Sequence, residues 1–139
     1  MKIRKITRAD LPALTRLCKQ VFPELETRQM GVALAHAFAN RVAGACLVAE
    51  ESGKPIGAVF GQKKITYYPN SAYVEVVFIS KEHRGKGIGK ALLAASLAAM
   101  KRKGISNVSI TVDGGNKKAR SLYKKAGFRP FRLMLLRRF

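Results

Sequence analysis

The polar and apolar positions of this 139-residue chain switch between two periods, and each switch marks an element. Lys2 to Thr7 reads as a first edge strand. From Asp10 to Phe22, residues Leu11, Leu14, Leu17, Cys18 and Val21 recur at helical steps. That spacing predicts an amphipathic helix with Asp10 as N-cap, Pro12 in its first turn and Pro23 ending it. Met30, Leu34, Ala37 and Phe38 predict a second helix over residues 27–39. Ala45 to Glu50 and Pro55 to Ile65 flank Ser52-Gly53 and read as a hairpin. Pro69-Asn70 marks the next turn, before a strand that ends at Ile79. A helix running to about Lys103 closes at Gly104. Ile105 to Val112 alternates as a strand, residues 116–126 read as a final helix, and Phe128 to Arg138 as one or two closing strands. The order predicts an α/β fold with a mixed central sheet flanked by helices.

The most telling switch lies between Tyr73-Val74-Glu75-Val76-Val77-Phe78-Ile79 and Lys90-Ala91-Leu92-Leu93. There the chain reads Arg84-Gly85-Lys86-Gly87-Ile88-Gly89. A strand, a glycine-rich turn and a helix N-terminus make an anion site, because amides without intrahelical partners point at the ligand and the helix dipole favours negative charge. Arg84, Lys86 and Lys90 add charge, so the chemistry suits a pyrophosphate. A P-loop needs a second glycine where Lys90 stands, and the dinucleotide fingerprint Gly-x-Gly-x-x-Gly fails because Gly85, Gly87 and Gly89 are spaced by two. The pattern Arg/Gln-x-x-Gly-x-Gly/Ala fits at Arg84, Gly87 and Gly89. Downstream, Asn116, Ala119, Leu122, Tyr123, Gly127 and Phe128 form Asn-x2-Ala-x2-Leu-Tyr-x3-Gly-Phe. Asn116 suits an N-cap, Ala119, Leu122 and Tyr123 share a helix face, and Gly127 suits the residue after the helix.

The two motifs, in this order and at this distance, resemble the cofactor-binding motifs of the GNAT superfamily of N-acetyltransferases. Only about residues 73–128 carry them, although the resemblance spans essentially the whole chain. It implies a mixed, mostly antiparallel sheet of six to seven strands with splayed middle strands and about four helices. It also implies acetyl-CoA as acyl-donor cosubstrate, with no metal. Backbone groups of Val77, Phe78 and Ile79 would bond the pantetheine arm like an added strand. Amides of Gly85, Lys86, Gly87, Ile88, Gly89 and Lys90 would hold the pyrophosphate beside Arg84, and Asn116 would touch the pantetheine. The implied reaction is direct attack of an amine on the thioester in a ternary complex. Tyr123 takes the family position of the general acid, and the amide of Ile79 or Phe78 that of the oxyanion donor. Glu75 is the base candidate, on a side-chain face shared with Tyr73 and Val77. Some members carry that glutamate two residues earlier, where this chain has Tyr73. Read without the family, Glu75 is equally an exposed strand carboxylate and Tyr123 a packed ring. His36 and Asp113 are weaker base candidates, and His83 reads as a surface residue.

Length fits a single domain over residues 1–139. The apolar runs are shorter than a membrane span, and the first residues lack a signal-peptide core, so a cytoplasmic protein with no membrane partner is expected. Cys18 and Cys46 lie in apolar patterns and read as buried thiols. Charge is the outlying quantity: 27 Lys and Arg against 8 Asp and Glu give +19, with residues 116–139 alone carrying +9. A CoA with about four negative charges explains part of this. A nucleic-acid or ribosome partner would explain more, but aromatic residues are sparse in the basic segments, so a solvated surface is preferred. Few acidic residues lie outside the first half, which argues against a polycationic acceptor. The acceptor is then a protein N-terminus, a lysine or a small amino compound, on a monomer or homodimer. A non-catalytic acetyl-CoA sensor and a basic nucleic-acid-binding module are the alternatives.

Overall fold

The computed structural model describes residues 1–139. Five strands, β1 (Lys2–Lys5), β2 (Leu47–Glu51), β3 (Lys54–Lys64), β4 (Ser71–Ile79) and β5 (Asn107–Ile110), form one sheet in the order β1-β2-β3-β4-β5. The first three junctions are antiparallel and the β4–β5 junction is parallel. Four helices complete the fold: α1 (Leu11–Val21), α2 (Thr27–Ala39), α3 (Ile88–Arg102) and α4 (Lys117–Lys125). The parallel pair requires a crossover, which α3 provides. The β2–β3 turn places Ser52 and Gly53 at φ 51° and 76°, the paired positive values a two-residue hairpin needs.

The sheet separates two apolar layers. On one face α1 and α2 bring Leu14, Leu17, Leu34 and Phe38 against Phe60 and Phe78. On the other, α3 brings Leu92, Leu93 and Met100 against Val59, Ala72 and Val74. Gly61 lets α3 approach closely, since a Cβ there would overlap Met100 and stand 2.9 Å from Ala45 Cβ.

The decisive irregularity lies in β4. Phe60 pairs with Val76 and Gly61 with Val74, so Glu75 is an extra residue, a β-bulge. The bulge resets the alternation of β4. Ala72 and Val74 pack on the α3 face before it, whereas Val77 and Ile79 pack there after it. Val76 and Phe78 take the α1/α2 face. Strict alternation, which would put Glu75 on one face with both Tyr73 and Val77, is therefore corrected. Pairing of β4 with β5 ends at Val74 and Ile110, immediately before the bulge, and the two strands part there.

Three further expectations change. Asp10 stands at the α1 N-cap, yet its carboxylate does not cap that helix. It accepts from both terminal nitrogens of Arg4 at 2.8 Å and from the Thr7 amide at 2.7 Å. The sheet has five strands, not six to seven. The tail expected to supply the rest, Phe128 to Arg138, forms no strand. β5 offers it an edge of only 4 residues, and Phe131 instead packs its ring on Tyr68 of the β3–β4 loop, centroids 6.1 Å apart.

Candidate active site

The glycine loop connects β4 to α3. Gly85 and Gly87 adopt φ 76° and 78°, which glycine reaches without strain, and Gly87 is the α3 N-cap residue. No backbone amide from Gly85 to Lys90 donates to a carbonyl within the chain; the first to do so is Ala91, to Gly87 O at 3.0 Å. Arg84, Lys86 and Lys90 are exposed around these amides. A row of free donors ringed by cations and backed by a helix dipole is a strong fit for a pyrophosphate. Gly89 lies in the first turn of α3, where a Cβ would come 3.6 Å from Ile79 and 3.8 Å from Leu122.

Where β4 and β5 part, an open cleft runs through the sheet. Phe22, at the end of α1, lines it together with Glu75, Val76, Val77, Ile110, Thr111, Val112, Asp113, Asn116, Ala119 and Tyr123. The edge of β4 facing this cleft is defined by hydrogen-bond alternation. Ser80 N donates to Ile56 O at 2.8 Å, so Phe78 and Val76 likewise turn their amides towards β3. The amides of Val77 and Ile79 then face the parted edge. Of the two amides expected to meet an oxyanion, Ile79 is thus on the cleft side and Phe78 is not. Arg84 Nε donates to Ile79 O at 3.3 Å on that same edge.

The side chains converge from separate elements. Asn116 N-caps α4 by accepting from Ala119 N at 3.1 Å, which leaves its side-chain nitrogen free to donate into the cleft. Tyr123, two turns further along α4, is half-buried and meets Phe128 edge-on. Burial, reinforced by the neighbouring Tyr73, raises its pKa above the usual tyrosine value. Tyr73 itself spans the parted strands by donating to Thr111 Oγ1 at 3.1 Å. Glu75 is half-buried at the bulge and accepts on Oε2 from Gln62 Nε2 at 3.3 Å.

Gln62 was not legible as a site residue, because it stands at the end of the apolar run of β3, directly before Lys63 and Lys64. It is 8% exposed, and its position beside Glu75 depends on β3–β4 register. Phe22 and Thr111 likewise join the cleft only through tertiary packing. Asp113 lines the cleft, whereas His36 is exposed and bonds Asn40 on its own helix turn. Both cysteines are free and buried, with desolvation pushing each thiol up to about 11. His83 is no mere surface residue: Ser80 Oγ lies 2.6 Å from Nδ1 and Glu51 Oε2 lies 2.8 Å from Nε2.

Comparison with known proteins agrees with this geometry. The model of the acetyltransferase (GNAT) family matches residues 11–128. Mycothiol acetyltransferase of Propionibacterium freudenreichii is 31% identical over 81 residues, covering 58% of this chain and 21% of that protein. N-alpha-acetyltransferase 30 of Schizosaccharomyces pombe is 33% identical over 82 residues, covering 58% of this chain and 55% of that one. The chain thus spans less than two-thirds of the length of these curated relatives. Among solved structures, AAC(6')-Iy in complex with the bisubstrate analog CoA-S-monomethyl-acetylneamine superposes with a TM-score of 0.76. That match is 20% identical and covers 99% of this chain and 97% of the other.

Proposed function

This chain belongs to the acetyltransferase (GNAT) family, and from that premise we propose that it transfers the acetyl group of acetyl-CoA directly to a primary amine. The observation that carries the reading is the parting of β4 from β5, which puts Glu75, Asn116 and Tyr123 on one cleft. The cleft joins the two faces of the sheet, so donor and acceptor can meet in it from opposite sides. The free amides from Gly85 to Lys90 bind the pyrophosphate of the donor. The outward edge of β4 at Val77 and Ile79 pairs with its pantetheine arm, with the Asn116 side chain donating from across the cleft. An amide on that same edge stabilises negative charge developing on the thioester oxygen.

Glu75 takes the proton of the attacking amine, directly or through a water. Its Oε1 is left for this work while Gln62 holds Oε2. Tyr123 supplies a proton to the leaving sulfur; its raised pKa keeps the hydroxyl protonated at neutral pH, as an acid must be. The acceptor class we propose is a protein N-terminus, a lysine side chain or a small amino compound. One relative's name specifies mycothiol and another's an N-alpha position, and the two agree on acetyl transfer rather than on an acceptor.

Two measurements test the proposal. Acetyl-CoA at ~100 times Kd raises unfolding free energy by about 2.7 kcal/mol; no stabilisation at millimolar acetyl-CoA refutes a donor site. Release of free thiol across an amine library then identifies the acceptor. A protein that binds acetyl-CoA and acetylates no amine is a sensor, and the catalytic reading fails. In the active assay, Glu75→Gln removes the base and flattens the acidic limb of the kcat/KM profile; an unchanged limb reassigns that role.

A further inference from the structure

We propose that His83 is a positioning residue that pins the pyrophosphate-binding loop to the β2–β3 hairpin. This rests on the reading of that loop as the coenzyme's anion site. His83 ends the short 3-10 turn Lys81–His83 that leads from β4 into the glycine loop. Its ring joins two groups that are distant in the chain. Glu51 Oε2 lies 2.8 Å from Nε2, across 32 positions of sequence, and Ser80 Oγ lies 2.6 Å from Nδ1. A carboxylate only accepts, so Nε2 carries a proton and donates to Glu51, while Nδ1 is paired with the Ser80 hydroxyl. Each partner is itself anchored. Ser80 is 8% exposed and its amide donates to Ile56 O at 2.8 Å. Glu51 ends β2, immediately before the hairpin turn.

The loop needs such an anchor. Its glycines give it more conformational freedom than any other residue type would, and its amides spend no hydrogen bonds on the chain. An unheld loop would have to be ordered by the ligand, and binding would weaken by that cost. α3 fixes the loop's far end. At the near end, the Glu51–His83–Ser80 bridge fixes it to the sheet, with Arg84 Nε on Ile79 O as a second, longer tie. The bridge touches no part of the cleft lining, so it acts on the amides of the loop rather than on the reacting atoms.

The test compares binding of CoA, by calorimetry, with binding of pantetheine, which lacks the pyrophosphate, by NMR titration. His83→Ala weakens CoA about tenfold, or ~1.4 kcal/mol, and leaves pantetheine affinity unchanged. Glu51→Ala does the same; its side chain is 53% exposed, so this variant keeps the fold. Glu51→Gln, whose amide oxygen still accepts from Nε2, retains wild-type affinity. If His83→Ala and Glu51→Ala bind CoA like wild type, or if either loses CoA and pantetheine equally, the positioning role is overturned. Wild-type protein that binds no CoA at millimolar concentration overturns the coenzyme reading itself, and this inference with it.

Discussion

Replacing Tyr123 with phenylalanine separates packing from chemistry, because the two roles rest on different atoms. The ring carries the packing: it meets Phe128 with centroids 6.1 Å apart and planes at 66°. The hydroxyl is held by no hydrogen bond; only burial and the neighbouring Tyr73 perturb it. Tyr123→Phe therefore removes no protein–protein hydrogen bond and opens no cavity, and unfolding free energy changes by less than about 0.5 kcal/mol. A general acid contributes roughly 10²–10⁴ in rate, equivalent to about 2.7–5.4 kcal/mol of transition-state stabilisation. The loss falls on kcat at saturating acetyl-CoA, read as thiol release with the acceptor found in the amine screen. The pH profile adds a second readout. Because folding raises the Tyr123 pKa, the acid stays protonated through neutral pH, and its deprotonation lowers wild-type activity in the alkaline range. That alkaline limb disappears in Tyr123→Phe. A variant with full kcat and an intact alkaline limb shows that the tyrosine only packs, and the assignment of the acid is then wrong.

Asp10→Asn breaks the two-pronged pair with Arg4 and costs about 1–3 kcal/mol, read by chemical denaturation. The Arg4 guanidinium holds the Asp10 carboxyl well below its usual 3.8, so this contribution is present above that pH and is lost as pH falls. Wild type therefore loses stability in acid more steeply than Asp10→Asn does. Gly61→Val forces a side chain against Met100, Ala45 and Ser96, at a cost of roughly 1–3 kcal/mol from overpacking. Pairing it with Met100→Ala, which empties that space, restores part of the loss; a simple sum of the two costs would refute the contact.

The motifs were legible because they are local. A glycine loop, an N-capping asparagine and a helix face with a tyrosine are set by spacing over a few residues, and the structure places them as spaced. Helix bounds followed for the same reason: residues 27–39 form α2 as the period of Met30, Leu34, Ala37 and Phe38 requires. Family membership and the glycine loop at the start of α3 were therefore legible in the sequence itself. What escaped it depends on partners far along the chain. The bulge at Glu75 comes from β3–β4 register, which no single strand encodes, and it turns Glu75 just beyond the last β4–β5 pair. Gln62 reaches Glu75, and Glu51 reaches His83, only because strands remote in sequence end side by side. The tail reads as a strand from its apolar residues, but a strand needs an edge to pair with, and β5 has too short a one. Local spacing thus decided which atoms could bind the donor; long-range pairing decided where the cleft opens and which side chains meet in it.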